Sequence, residues 1–232
     1  MTLEAIRNRL PSEETAQEFY GRWAGLYDLI ARYTPGVPRL RARAAAACRL
    51  EAGDTVVEMG CGTGANLPYL REQVGPEGTV IGLDFTGPVI ERAREATSEY
   101  DNVYVLQADA TRPPLAFEDA DAILATFVVG MLEEPAAAVE AWCEAVGPGG
   151  HVVLANAARS EEWYAPPINA IFKTVVVLST PPTTKLRYEN DPDLRLDAKI
   201  DSAHARLRAR SAAIADESHV FGVVRLTGGR VR

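Results

Sequence analysis

VVEMGCGTGAN, residues Val56 to Asn66, decides how the rest of the chain is read. An apolar run meets a carboxylate at Glu58, and glycines follow at alternate positions, Gly60, Gly62 and Gly64. A strand that ends in a tight glycine loop and then opens a helix is how parallel α/β sheets bring backbone close to a ligand. The literal pattern Gly60-Cys61-Gly62-Thr63-Gly64-Ala65 also satisfies G-x-G-x-x-G/A, in which a helix N-terminus receives a pyrophosphate. Glu58 argues against a phosphate, because an ionised carboxylate two residues before the first glycine repels it. An ammonium, a sulfonium or ribose hydroxyls are tolerated or attracted at the same place.

Outward from the loop, strands at 55–59, 79–83, 103–107, 121–126 and 151–155 alternate with helices near 65–73, 87–99 and 135–146. This rhythm predicts right-handed crossovers and a Rossmann-like, doubly wound α/β fold, with a mostly parallel sheet and helices on both faces. Ahead of it, residues 15–33 place Phe19, Tyr20, Trp23, Leu26, Tyr27 and Ile30 on one helical face. A second helix follows over 39–48, with Arg39, Arg41 and Arg43 spread around it as a solvated surface. After residue 157 the rhythm fails: 163–178 fits a helix or a strand, 196–215 reads as a helix, and 218–226 reads as a strand before Thr227-Gly228-Gly229. The chain divides into N-terminal helices that form a lid over the cleft (1–50), a ligand-binding core (51–158), and a remainder of the same domain carrying a substrate-side cap and the last strands (159–232).

A net charge of -8 over 232 residues leaves no basic face for an extended nucleic-acid partner. The three cysteines, Cys48, Cys61 and Cys143, are at spacings with no metal pattern, and no metal is expected. The first residues, MTLEAIRNRLPSEE, carry charges where a leader peptide is apolar, and the apolar run from Ala122 to Leu132 is too short to span a bilayer. A cytoplasmic protein with a small-molecule partner is expected, with peripheral membrane contact left open and the oligomeric state unaddressed.

Ligands of such sheets bind beyond the carboxyl ends of the strands. Strand one delivers Glu58 and the glycines there, and strand two delivers Asp84, about twenty residues on, where a carboxylate accepts both hydroxyls of a ribose. Strand three delivers Asp109, on the adenine side, and strand four delivers Thr126 and Phe127. Three acids around a glycine loop that has no lysine or arginine make a poor phosphate site and a good site for a cationic adenosyl ligand.

In order and spacing, VVEMGCGTG, IGLDFTGPVIERARE, VLQADATRPPL, DAILATFVVGMLEEPAAAVEAW and AVGPGGHVVLAN resemble the motifs of class I S-adenosylmethionine-dependent methyltransferases. The likeness covers roughly 15–158 and falls in the group that contains the ubiquinone/menaquinone C-methyltransferases and the bacterial phosphatidylethanolamine N-methyltransferases. The resemblance implies S-adenosylmethionine as cofactor, with Glu58 and the backbone of Gly60 and Gly62 facing its methionine part and Asp84 on the ribose. It further implies Phe85 against the adenine, Asp109 and Ala110 at the adenine amine and ring edge, Thr126 on the floor, and Tyr20 or Tyr27 closing the lid. Cys61 and Phe127 belong to the same cofactor-facing set, Cys61 as a small loop residue.

The chain departs from that group at three places, one being Phe117-Glu118-Asp119-Ala120-Asp121 in place of the usual Phe-Pro-Asp-x-x-Phe-Asp approach to strand four. Val129-Gly130-Met131 stands where aromatic or histidine residues are common after strand four, and Leu226-Thr227-Gly228-Gly229 is followed only by Arg230-Val231-Arg232. The acceptor implied is a small molecule, apolar or lipid-linked, because Trp163, Tyr164, Ile168, Ile171 and Phe172 fall beside the expected cleft mouth. No residue stands out as a catalytic base; Tyr164 and His204 are the polar candidates on the acceptor side. Two rivals stay open: an NAD(P)-dependent oxidoreductase, which Glu58, Asp109 and the lack of a Tyr-x-x-x-Lys pair count against, and a non-catalytic S-adenosylmethionine-binding module.

Overall fold

The computed structural model of the protein describes residues 36–116, 119–179 and 192–232. The aromatic-rich stretch 15–33, with Tyr20 and Tyr27, lies outside the described residues.

Five parallel strands form the first part of the sheet: β1 (Thr55–Met59), β2 (Thr79–Asp84), β3 (Val103–Gln107), β4 (Ala122–Thr126) and β5 (His151–Ala157). Two antiparallel strands, β6 (Ser211–His219) and β7 (Val224–Val231), complete it in the order β3-β2-β1-β4-β5-β7-β6. The order reverses between β1 and β4. In register, Glu58 lies beside Gly82 and Leu124, Asp84 beside Gln107, and Thr126 beside Ala155, so the strand ends open on one side of the sheet.

Helices α1 (Val37–Ala47), α2 (Leu67–Val74) and α3 (Gly87–Ala96) cover one face through Ala44, Ala45, Leu67, Leu70, Ile90 and Ala93. The other face carries α4 (Pro135–Val146) and α6 (Pro192–Arg210), which contribute Trp142, Cys143, Ile200, Ala203 and Leu207; α5 (Ala165–Ser179) precedes α6. Val57 and Met59 point to the second layer and Val56 to the first, the two-fold alternation of a strand buried on both sides. Helices α1 to α4 each have a proline at the first or second position, where the missing N–H has no intrahelical partner to lose, so these residues set the starts.

The ambiguous segment 163–178 is helical as α5. Two expectations are corrected. The helix read over 196–215 ends at Arg210, where the Ser211 hydroxyl donates to the Leu207 carbonyl, and Ser211–His219 pairs with β7 as a strand. Pairing with β7 outweighs the helical preference of the Ala-Ala-Ile-Ala run. The strand read over 218–226 is instead a turn at 220–223 followed by β7, which continues through both glycines to Val231 and closes the sheet. A Cβ at Gly229 would lie 2.3 Å from the Ser211 hydroxyl oxygen, so this glycine serves close packing rather than chain reversal.

Trp142 has no solvent exposure and donates from its indole nitrogen to the Ala110 carbonyl at 2.7 Å, pinning the β3–β4 connection to α4. Trp142→Ala is expected to cost about 3–5 kcal/mol of unfolding free energy in urea, and Trp142→Phe clearly less. A loss under about 1 kcal/mol for the alanine variant would mean that this face is not packed as described.

Candidate cofactor site

The site grows from the strand ends at the reversal of strand order, where open α/β sheets hold ligands. Gly60 leaves β1 at φ 65°, and a Cβ there would lie 2.3 Å from a Val128 methyl, so both backbone and space demand glycine. A Cβ on Gly62 would meet nothing within 4 Å, so the loop presents its backbone to open space. The Gly62 N–H donates to Asp84 Oδ2 at 3.1 Å and the Thr86 N–H to Asp84 Oδ1 at 2.9 Å, which fixes the β2 carboxylate against the glycine loop.

Glu58 is fully buried, at 0% exposure. Its Oε1 accepts from the Asn66 amide at 2.5 Å and from the Thr126 hydroxyl at 3.2 Å. Its Oε2 is buried without a hydrogen-bond partner, a state shared among the described residues only with Oε2 of Glu140. Glu140 has the guanidinium groups of Arg206 and Arg210 beside it, whereas the free oxygen of Glu58 has none. Burial pushes the Glu58 carboxyl up from 4.5 to about 7; Asn66, Thr126 and Arg41 oppose that rise and Asp84 adds to it. The acid that the sequence reading places ionised at the cleft is therefore only partly charged near neutral pH.

Phe85 and Phe127 are 45% and 48% exposed at the ends of β2 and β4, and Phe127 holds a left-handed φ of 59°. A non-glycine residue in that region is uncommon and strained. Asp109 is exposed and its Oδ1 takes the Thr111 N–H and hydroxyl, both at 2.8 Å, while Ala110 is half-buried. The Cys61 thiol is buried within reach of Gly82 and burial pushes it up, so what Cys61 offers the cleft is backbone.

Glu58, Gly60, Gly62, Asp84, Phe85, Asp109, Ala110, Thr126 and Phe127 thus share the strand-end side of the sheet. Tyr164 and His204 do not join them. Tyr164 meets Trp163 edge to face at 5.4 Å, beside a cavity of about 550 Å³ lined by Arg159, Glu162, Trp163, Asn169, Lys173 and Leu194. His204 is buried between Asn156 (3.3 Å) and Thr227 (2.8 Å), and the Thr227 hydroxyl donates to Asp216. That bond leaves the Thr227 oxygen to accept from Nδ1–H, and Nε2 to accept from the Asn156 amide. Burial lowers the imidazole from 6.5 to about 4, which keeps it neutral.

Sequence reasoning missed Asn66 and Arg41. Asn66 occupies the N-cap of α2 yet makes no capping bond, its amide being committed to Glu58 and Thr126. Arg41, read as solvated surface, is half-buried and donates to Asn66 Oδ1 at 2.9 Å. An asparagine at a helix start reads as a cap by default, and nothing local distinguishes the two uses. Among the described residues no cluster of His, Cys, Asp and Glu could hold a metal, and no helix is long and apolar enough to cross a membrane.

Residues 57–154 match the family described as a methyltransferase domain. A phosphatidylethanolamine N-methyltransferase of Cereibacter sphaeroides is 34% identical over 140 residues, 59% of this chain and 65% of that protein. An arsenite methyltransferase of Halobacterium salinarum is 29% identical over 110 residues, 47% of this chain and 28% of that protein. The matched region therefore spans less than two thirds of either relative. The crystal structure of an S-adenosylmethionine-dependent methyltransferase from Aquifex aeolicus superposes with a TM-score of 0.55 at 21% identity, covering 85% of this chain and 94% of that one. Residues 57–154 thus resemble a methyltransferase domain, and the chain shares the fold of a solved S-adenosylmethionine-dependent methyltransferase.

The folded chain holds the Glu58 proton more tightly than the unfolded chain does. Its stabilising contribution is complete below the ordinary value of 4.5 and is lost as pH rises through about 7. Glu58→Gln removes that loss, so at pH 8 the variant is expected to be more stable than wild type by up to about 3 kcal/mol, with the gain vanishing near pH 4.5. Urea unfolding at the two pH values checks it; a gain independent of pH would show that Glu58 does not titrate as described.

Proposed function

We propose that the protein transfers a methyl group from S-adenosylmethionine to a small amphiphilic acceptor of the quinone-precursor or phospholipid-headgroup kind. What carries this reading is the set of carboxylates around the glycine loop, above all the unpartnered Oε2 of Glu58. A buried acid with one free oxygen suits an ammonium and would repel a pyrophosphate.

When bound, the cofactor supplies a sulfonium methyl that is already activated. Glu58 and the loop backbone hold its amino-acid end, Asp84 its ribose hydroxyls, Asp109 and Ala110 the adenine edge, with Phe85 and Phe127 as apolar walls. Residues 159–179 and 192–210 form the acceptor-side cap. There the exposed Trp163 and Leu194 line a cavity together with Arg159 and Glu162, so apolar surface lies next to charged groups, which suits an acceptor with a tail and a polar head. His204 acts as a neutral strut for Asn156 rather than as a base, since both of its ring nitrogens are engaged. The protein's main task is then to align the acceptor and exclude water.

Calorimetric titration of S-adenosylmethionine, S-adenosylhomocysteine and NADH tests the cofactor assignment. The two sulfur ligands are expected to bind at micromolar affinity and NADH not to bind. Asp84→Ala is expected to weaken binding about 10- to 100-fold, as for a lost charge-assisted hydrogen bond. Binding of NADH without the sulfur ligands would make the protein a dehydrogenase. Radiolabelled methyl transfer to phosphatidylethanolamine vesicles and to a demethylated hydroquinone then separates the acceptor classes, and transfer to neither despite tight cofactor binding would favour a binding module.

A further inference from the structure

The bond between Arg41 and Asn66 links α1, through Asn66, to Glu58, the only buried acid among the described residues. Asn66 is 5% exposed and its three hydrogen bonds leave no choice of orientation. Its Nδ2 donates to the Glu58 carboxylate and the Thr126 hydroxyl, so its Oδ1 must face a donor, and that donor is the Arg41 guanidinium. Through this relay Arg41 bears on a carboxylate whose second oxygen is unpartnered.

We propose that Arg41 is a positioning residue of the cofactor site: by orienting Asn66 and adding positive charge behind it, it favours the ionised form of Glu58 and leaves its free oxygen available to a ligand ammonium. This rests on the reading that Glu58 receives the amino-acid end of an adenosyl ligand. The charged and titratable groups that act on Glu58 or feel it are few. Arg41 on α1 favours its charged form, Asp84 on β2 disfavours it, and the buried thiols of Cys48, just after α1, and Cys61 in the loop are pushed up and stay neutral beside it. Among the described residues, Arg41 is the positive group that acts on Glu58. Its neighbour Arg43 pairs with Glu217 on the surface instead.

The relay gives a signature that a merely structural contact lacks, because only ligands carrying an ammonium sense the charge on Glu58. Binding of S-adenosylhomocysteine, which has that group, and of methylthioadenosine, which lacks it, is compared by calorimetry from pH 6 to 8.5 in wild type, Arg41→Gln, Arg41→Lys and Glu58→Gln. In Arg41→Gln, S-adenosylhomocysteine is expected to bind about tenfold more weakly at pH 7, with its pH midpoint raised by about one unit. Methylthioadenosine is expected to stay within about twofold, which also shows that the variant site is folded, and Arg41→Lys to restore most of the loss. Equal weakening of both ligands, or an unmoved pH midpoint, would overturn the role of Arg41 while leaving Glu58 in place. A Glu58→Gln variant that treats the two ligands as wild type does would instead overturn the reading of Glu58 itself.

Discussion

The side-chain amide of Asn66 is the point at which three parts of the fold meet. It reaches Glu58 on β1, Thr126 at the end of β4, and Arg41 on α1, and so ties the two strands that flank the reversal of strand order to the helix packed over them. A buried carboxylate with no partner would cost several kcal/mol and would disfavour the strand that carries it. Two hydrogen bonds to one oxygen offset much of that cost, and the other oxygen is left without a partner. The helix start gives up its side-chain cap to make this possible. Long-range side-chain bonds here take precedence over a local cap.

Around that point the packing leaves little freedom. The loop cannot leave β1 without glycine at position 60, because Val128 occupies the space of a side chain. Asp84 then holds the loop from the neighbouring strand, and the Cys61 N–H donates to the Leu83 carbonyl at 2.8 Å, so the cradle is braced from β2 on two levels. On the opposite layer Trp142 closes the β3–β4 connection, and Leu196 and Ile200 of α6 pack close to Gly130 in the loop after β4. The lack of a side chain at Gly130 is what lets α6 approach.

The central sheet was legible because its strands are short apolar runs buried on both faces, bounded by turns and separated by helices whose starts are marked by proline. Glu58, Asp84 and Asp109 could be placed at the cleft from position alone, since the strand ends of such a sheet converge. The end of the chain was harder. Ala212-Ala213-Ile214-Ala215 has the local preference of a helix and is a strand only because β7 pairs with it, and Gly228-Gly229 reads as a stop until Ser211 is seen packed against Gly229. Arg41 and Asn66 were illegible for a related reason: their roles depend on partners 25 and 60 residues away, and no local pattern encodes those distances.

The burial of Glu58 also has a consequence for the heat of ligand binding. Because burial pushes its carboxyl up to about 7, Glu58 is only partly charged at neutral pH. A cationic ligand that needs the carboxylate charged must displace the remaining proton into the medium, and the buffer takes it up. The enthalpy observed on binding then contains the ionisation heat of the buffer, so it differs between phosphate and Tris while the intrinsic affinity stays the same. The number of protons released, read from that difference, reports the charge state of one buried side chain.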